Sequence, residues 1–210
     1  MFHRINFVAN FIHDNEYESQ VLSENLPDTF IKRDSQYVSH NIYNARKKLN
    51  PFNKPKNIDE VHKILENMTI KTCHNEPFVL VNDCDKHIVI FSCATNLQIL
   101  ATMEAIFLDC TFLYCTKYFK QLFTVHGIQN GNYVQLCFAL LPSKKSTAAY
   151  VAFLELLLNL CPLLTPSTIV VDYEISIHNA VRQLWPGVEV VGCRFYLREA
   201  WYRQVQGLGL

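Results

Sequence analysis

Ala105-Ile106-Phe107-Leu108-Asp109 is an apolar run closed by a carboxylate, and Thr168-Ile169-Val170-Val171-Asp172 repeats the arrangement further along the chain. Short apolar, β-branched runs of this kind read as strands buried on both faces. Around them the pattern is regular. Residues 121–126 and 133–141 are strand candidates, with Asn130-Gly131-Asn132 as the turn between them. Residues 146–160 form an amphipathic helix with Ser146 or Thr147 as cap. Residues 175–184 are helical and stop at Trp185-Pro186-Gly187, 188–191 read as a third buried strand, and 195–205 as a final helix. From residue 104 the order is β-β-β-α-β-α-β-α. A three-stranded meander followed by α/β alternation predicts a mixed sheet with helices on both faces, the order of a ribonuclease-H-like fold.

Upstream the signals are shorter. Ile58, Val61, Ile64, Leu65 and Met68 have helical spacing, with Asp59 and Glu60 placed for the N-terminal dipole. Residues 78–81 and 87–91 are β-rich, separated by a hairpin turn at 82–86, and 95–102 read as a short helix. Residues 31–56 carry Lys32, Arg33, Arg46, Lys47, Lys48, Lys54 and Lys56 against Asp34 alone, with a helix expected over 38–49 and a linker at Asn50-Pro51-Phe52-Asn53-Lys54-Pro55. Three regions follow: a small α+β N-terminal extension with a basic segment (1–57), a helix and hairpin leading into the core (58–103), and the α/β core itself (104–210).

Half of the 210 residues are hydrophobic, which excludes a disordered chain and supplies one good-sized core. The formal net charge is zero. A nucleic-acid partner would therefore have to be met by a local patch, and Arg46, Lys47 and Lys48 are the DNA-binding candidates. A solvated helix face explains the same residues. None of the 8 cysteines forms a CxxC pair, and several lie in apolar runs. This predicts a reducing compartment, nuclear or cytoplasmic, and not a secreted protein. Cys73, His74, Cys84, His87 and Cys93 have no zinc-finger spacing and read as core or surface positions. No apolar run is long enough to span a membrane.

Asp109 and Asp172 carry the chemistry. In a ribonuclease-H-like sheet the first and fourth strands of the core are parallel neighbours, so their ends bring the two carboxylates to one point. Two adjacent acids repel, and a divalent cation relieves the repulsion. Magnesium takes oxygen ligands and keeps positions open for water and phosphate, and a metal pair activates water and stabilises the leaving oxygen of a phosphodiester. An Asp just after a strand is also a common turn former, and Asp172 could simply cap the helix from Ile175.

Several spaced motifs in order carry a resemblance over 77–210: Phe107-Leu108-Asp109-Cys110-Thr111-Phe112, Phe119-Lys120-Gln121-Leu122-Phe123-Thr124-Val125-His126-Gly127, Ala139-Leu140-Leu141-Pro142, Val171-Asp172-Tyr173-Glu174 and Gly192-Cys193-Arg194-Phe195-Tyr196-Leu197. The chain resembles the Mutator-like (MULE) transposase domain, a member of the ribonuclease-H-like DDE superfamily, of the type associated with FLYWCH zinc fingers. The resemblance implies metal-dependent DNA strand cleavage and transfer with Mg2+ or Mn2+, DNA as partner, nuclear location, and homo-oligomerisation as an option. It implies that Asp109 and Asp172 are catalytic metal ligands and that Glu174, Cys193 and Tyr196 lie just behind them. Three departures imply impaired catalysis. Cys110 stands where the family has Gly, Tyr196 stands where it has His, and its catalytic Glu lies on a helix beyond Leu210, so the core is expected to be C-terminally truncated with Trp201, Val205 and Leu208 uncovered. Glu199 has no support as a substitute. The alternative is a domesticated DNA-binding or adaptor protein without catalysis.

Overall fold

The computed structural model describes Asn41 and residues 55–111, 115–143 and 145–208. The chain divides into two compact units, 1–56 and 57–210. The helix expected over 38–49 and the basic residues Arg46, Lys47 and Lys48 lie outside the described residues, Asn41 excepted. In the second unit the order is α1 (Ile58–Asn67), β1 (Val79–Asp83), β2 (Ile88–Phe91), α2 (Ala94–Ala101), β3 (Ala105–Thr111), β4 (Gln121–Gln129), β5 (Asn132–Leu141), α3 (Thr147–Leu160), β6 (Thr168–Val171), α4 (Ile175–Leu184), β7 (Glu189–Gly192) and α5 (Arg194–Gly207). The β-β-β-α-β-α-β-α order expected from residue 104 is present. No described helix is long and apolar enough to cross a membrane.

The strands form one mixed seven-stranded sheet in the order β1-β2-β5-β4-β3-β6-β7. β1 to β5 pair antiparallel within it, β3 with β4 included, while β3–β6 and β6–β7 are parallel. Local chemistry sets the corners. Asn57 Oδ1 accepts from the Glu60 amide at 2.8 Å and starts α1. Asn130 and Gly131 have φ of 52° and 75°, and Gln129 faces Asn132. Two consecutive positive-φ residues make the two-residue hairpin turn that matches strand twist. The Ser146 hydroxyl accepts from the Ala149 amide at 3.4 Å and caps α3.

Alternation along the strands sorts side chains to two faces. Ile88, Ile90, Ile106, Leu108, Phe123, Val125, Ile169 and Val171 face one side, where Leu100 of α2, Tyr150, Phe153, Leu154 and Leu157 of α3, and Ile177, Ala180 and Val181 of α4 close the main core. Val89, Phe91, Phe138 and Leu140 face the other side, and Phe119, Val61 and Leu65 are buried outside the main core cluster too. His62 of α1 lies edge-on to Phe119 at 5.9 Å, which ties that helix to the second face.

Three expectations fail in detail. β6 and β7 are not buried on both faces: Thr168 and Val170 are half-buried, Glu189 and Val191 exposed. Among the described residues α4 packs on one face of β6, and β7 is the sheet edge. Nor does Asp109 follow its strand. β3 runs on to Thr111, so Asp109 sits inside it, opposite Thr124 of β4. The hairpin turn likewise lies later than 82–86, because Asn82 and Asp83 belong to β1; Asp83 Oδ1 accepts the Lys86 amide at 2.8 Å, and His87 takes φ of 51°.

Candidate metal centre at the ends of β3 and β6

Parallel pairing of Ala105, Ile106 and Phe107 with Thr168, Ile169 and Val170 carries both chain segments to the same end of the sheet. Beyond Val171 the strand breaks. Asp172 Oδ1 accepts the Glu174 amide at 2.9 Å, and His178 Nε2 lies 2.7 Å from the Asp172 carbonyl. Glu174 is the N-cap residue of α4. Asp172 therefore shapes the turn into α4 with one oxygen, two positions before the cap.

Strand alternation splits neighbours on β3. Asp109 is exposed and on the face opposite the main core, while Cys110 is half-buried and packs against that core. The sulfur of Cys110 and carboxylate oxygens of Asp172 and Glu174 all lie within 4.8 Å of one another. This is the only three-member His, Cys, Asp or Glu group of such closeness among the described residues, and Asp109 is not in it. Instead the Tyr196 hydroxyl, from the first turn of α5, donates to Asp109 Oδ1 at 2.7 Å. Thr124 donates to the Asp109 carbonyl at 3.2 Å, and His126 Nε2 lies 2.8 Å from the Thr124 hydroxyl. Cys193 starts α5, half-buried, with its amide donating to the Val171 carbonyl at 2.7 Å. So Asp172, Glu174 and Cys110 converge, Tyr196 reaches back to Asp109, and Cys193 holds the backbone.

Burial is the first cause of every resolved shift here. It pushes the Cys110 thiol up to about 12, helped by the charges of Asp172, Glu174 and Asp109. It raises the Glu174 carboxyl, with Asp172 adding to the rise and Tyr150 and Lys145 opposing it. The Tyr196 phenol is raised by burial and then by its bond to Asp109. Burial lowers His126, and the Asp109 charge partly restores it.

Behind the group stands a polar chain inside the core. The Tyr150 hydroxyl lies 3.0 Å from Glu174 Oε1 and 3.1 Å from Gln121 Oε1, and Gln121 Nε2 donates to the Ser143 carbonyl at 2.8 Å. Glu174 Oε2 is out of solvent with no hydrogen-bond partner. The Ser176 hydroxyl beside it donates to the Lys145 carbonyl at 2.9 Å. Cys110, Gln121 and Tyr150 were not singled out as site residues in the sequence. Alternation offered a signal for Cys110, since a strand that buries Ile106 and Leu108 must turn residue 110 to the same side. Nothing in the sequence marked Gln121 or Tyr150.

The span that contains this geometry has a counterpart among known families. Residues 105–200 match the model of the MULE transposase domain. The match runs from the first residue of β3 into α5 and takes in Asp109, Cys110, Asp172, Glu174, Cys193 and Tyr196. No curated protein matches the chain closely enough to count as a relative.

A MULE transposase domain points to a divalent metal, and the Cys110, Asp172 and Glu174 group is a place one could be held. The donor set does not fit a magnesium pair on two aspartates. Magnesium demands oxygen ligands in near-octahedral order, whereas one of the three converging donors is a thiol and Asp109 is not among them.

Proposed function

We propose that this chain is a transposase-derived protein whose ribonuclease-H-like core, DDE by ancestry, retains DNA contact but is impaired in strand cleavage. The observation that carries the reading is the parallel β3–β6 pair, which brings Asp109 and Asp172 to one end of the sheet inside the span that matches the MULE transposase domain. The run β5-β4-β3-β6-β7, with an antiparallel meander and two parallel strands, supports the ribonuclease-H-like assignment. Impairment is supported by the bond from Tyr196 to Asp109. A phenol donates to a carboxylate and remains protonated at neutral pH, so it neither ligates a hard cation there nor carries protons as an imidazole would.

DNA contact rests on the basic residues Arg46, Lys47 and Lys48, whose charge displaces counterions from phosphates. In a nuclear protein this segment would hold duplex DNA non-specifically, with or without self-association. The second reading, an adaptor that binds DNA and has no cleavage chemistry, draws on the same Tyr196 bond. One assay tests both. The purified chain is mixed with supercoiled plasmid: a mobility shift that weakens as salt rises is expected, without nicking in Mg2+ or Mn2+. Nicking that is lost in Asp172→Asn would overturn impairment. A chain that shifts no DNA even at low salt would overturn the DNA reading itself.

A further inference from the structure

We infer that Cys110, Asp172 and Glu174 form a thiolate-containing site for one borderline divalent cation of the zinc or cobalt class, displaced by one residue along β3 from the aspartate pair that magnesium would use. The inference deepens the proposed function, since the same two strand ends build the site, but it requires neither DNA binding nor cleavage.

Three observations carry it. The three donor atoms already converge, all within 4.8 Å, from three different backbone settings: a strand, the residue after a strand, and the first residue before a helix. Ligand atoms around a tetrahedral zinc stand roughly 3–4 Å apart, given Zn–S of about 2.3 Å and Zn–O of about 2.0–2.2 Å. Closure therefore needs side-chain adjustment and no movement of the sheet. Next, Glu174 Oε2 is removed from solvent with no donor to satisfy it, so an acceptor is available on the side away from Tyr150. Last, Asp109 is not among the converging donors and, as the neighbour of Cys110 on β3, faces the opposite side of the sheet. The cation ligands that remain are one sulfur and two carboxylates, a set that suits zinc or cobalt and disfavours magnesium. Binding places the cation on a thiolate, so the Cys110 proton leaves to solvent as the metal–sulfur bond forms. Three protein ligands leave a fourth position to water, the arrangement of an open zinc site.

Cobalt(II) is the probe, because a cobalt–thiolate bond absorbs in the near ultraviolet where carboxylate-bound cobalt does not. Titrating CoCl2 into the full chain, without DNA, is expected to give a thiolate band that saturates at one cobalt per chain. Equimolar Zn2+ should remove it and a hundredfold excess of Mg2+ should not. Cys110→Ser keeps the side-chain size and should abolish the band, Glu174→Gln should weaken cobalt binding at least tenfold, and Asp109→Asn should leave the band as it is. A band that survives Cys110→Ser places cobalt on another of the 8 cysteines and overturns the inference. So does a wild-type chain with no band, or one in which Mg2+ competes as well as Zn2+; these two results need no variant to fold. The band is read without DNA and the plasmid shift can be read in chelator, so either reading can fail alone.

Discussion

The Tyr150 hydroxyl has one proton and two acceptors in reach, Gln121 Oε1 and Glu174 Oε1. Gln121 is fully buried, and its amide nitrogen is committed to the Ser143 carbonyl. A buried acceptor left without a donor costs about 1–3 kcal/mol. A proton on Glu174 removes the conflict, since Glu174 can then donate to Tyr150 while Tyr150 donates to Gln121. This agrees with the raised Glu174 carboxyl, whose first cause is burial. The folded chain thus holds this proton more tightly than the unfolded chain. The associated stability is present in full below the unfolded value of 4.5 and is lost as pH rises through the higher folded value. Glu174→Gln supplies the same donor at every pH. It is expected to match the wild type at pH 4 and to melt roughly 2–4 °C higher at pH 8, the shift that about 1 kcal/mol gives a chain of this size. Calorimetric melts at the two pH values, in chelator, check this. A variant that melts lower than wild type at pH 8 rejects the shared-proton account.

Among the elements, α1 depends on few contacts. Its buried His62 places Nδ1 2.5 Å from Asn82 Oδ1 on β1, Asn82 Nδ2 donates back to the His62 carbonyl at 3.0 Å, and His62 stacks on His87 at 5.4 Å. His62→Ala leaves Asn82 Oδ1 without its partner and opens space beside Phe119. About 1–3 kcal/mol should be lost. Hydrogen exchange should show the loss first in α1, with the β4–β5 amides still protected; uniform loss across the sheet would mean that α1 is no separate unit. The sequence marked α1 by its spacing but gave no sign of this clasp, because His62 and Asn82 meet only through the hairpin. The same limit applies elsewhere. The core strands and helices were legible because Ile106, Leu108, Ile169 and Val171 follow strand alternation and the α3 leucines helical spacing. Asp172 was legible as a strand-end acid, whereas Asp109, read the same way, lies inside β3. The side of the sheet each faced was not legible, since that depended on how far β3 extends, and a strand ending at Leu108 leaves Asp109 free to turn. Burial of β7 was misread because apolar content in Val188 to Val191 does not say whether a neighbour covers it.

For the molecule as a whole, α5 is the exception to good packing. Trp201 is 66% and Leu208 73% exposed. Trp185 is half-buried, its indole donating to the Leu164 carbonyl at 3.2 Å. The two tryptophans should therefore separate in iodide quenching. Trp201→Phe should remove the quenchable, red-shifted component, and as a surface change it should move stability by no more than about 0.5 kcal/mol. Quenching of neither tryptophan would mean that α5 is covered in solution, by self-association or by the rest of the chain.

The parallel β3–β6 pair has a kinetic side as well. β4 and β5 are joined by a two-residue turn and can zip from it, whereas β3 and β6 meet only after the whole hairpin and α3 between them have been looped out. Contacts distant along the chain carry a closure entropy that local ones do not, and they form late. Cys110 on one strand and Asp172 and Glu174 after the other belong to that late step. A chain still emerging from the ribosome has its hairpin long before it has these three donors side by side, and on unfolding it loses their convergence as soon as the parallel pair parts.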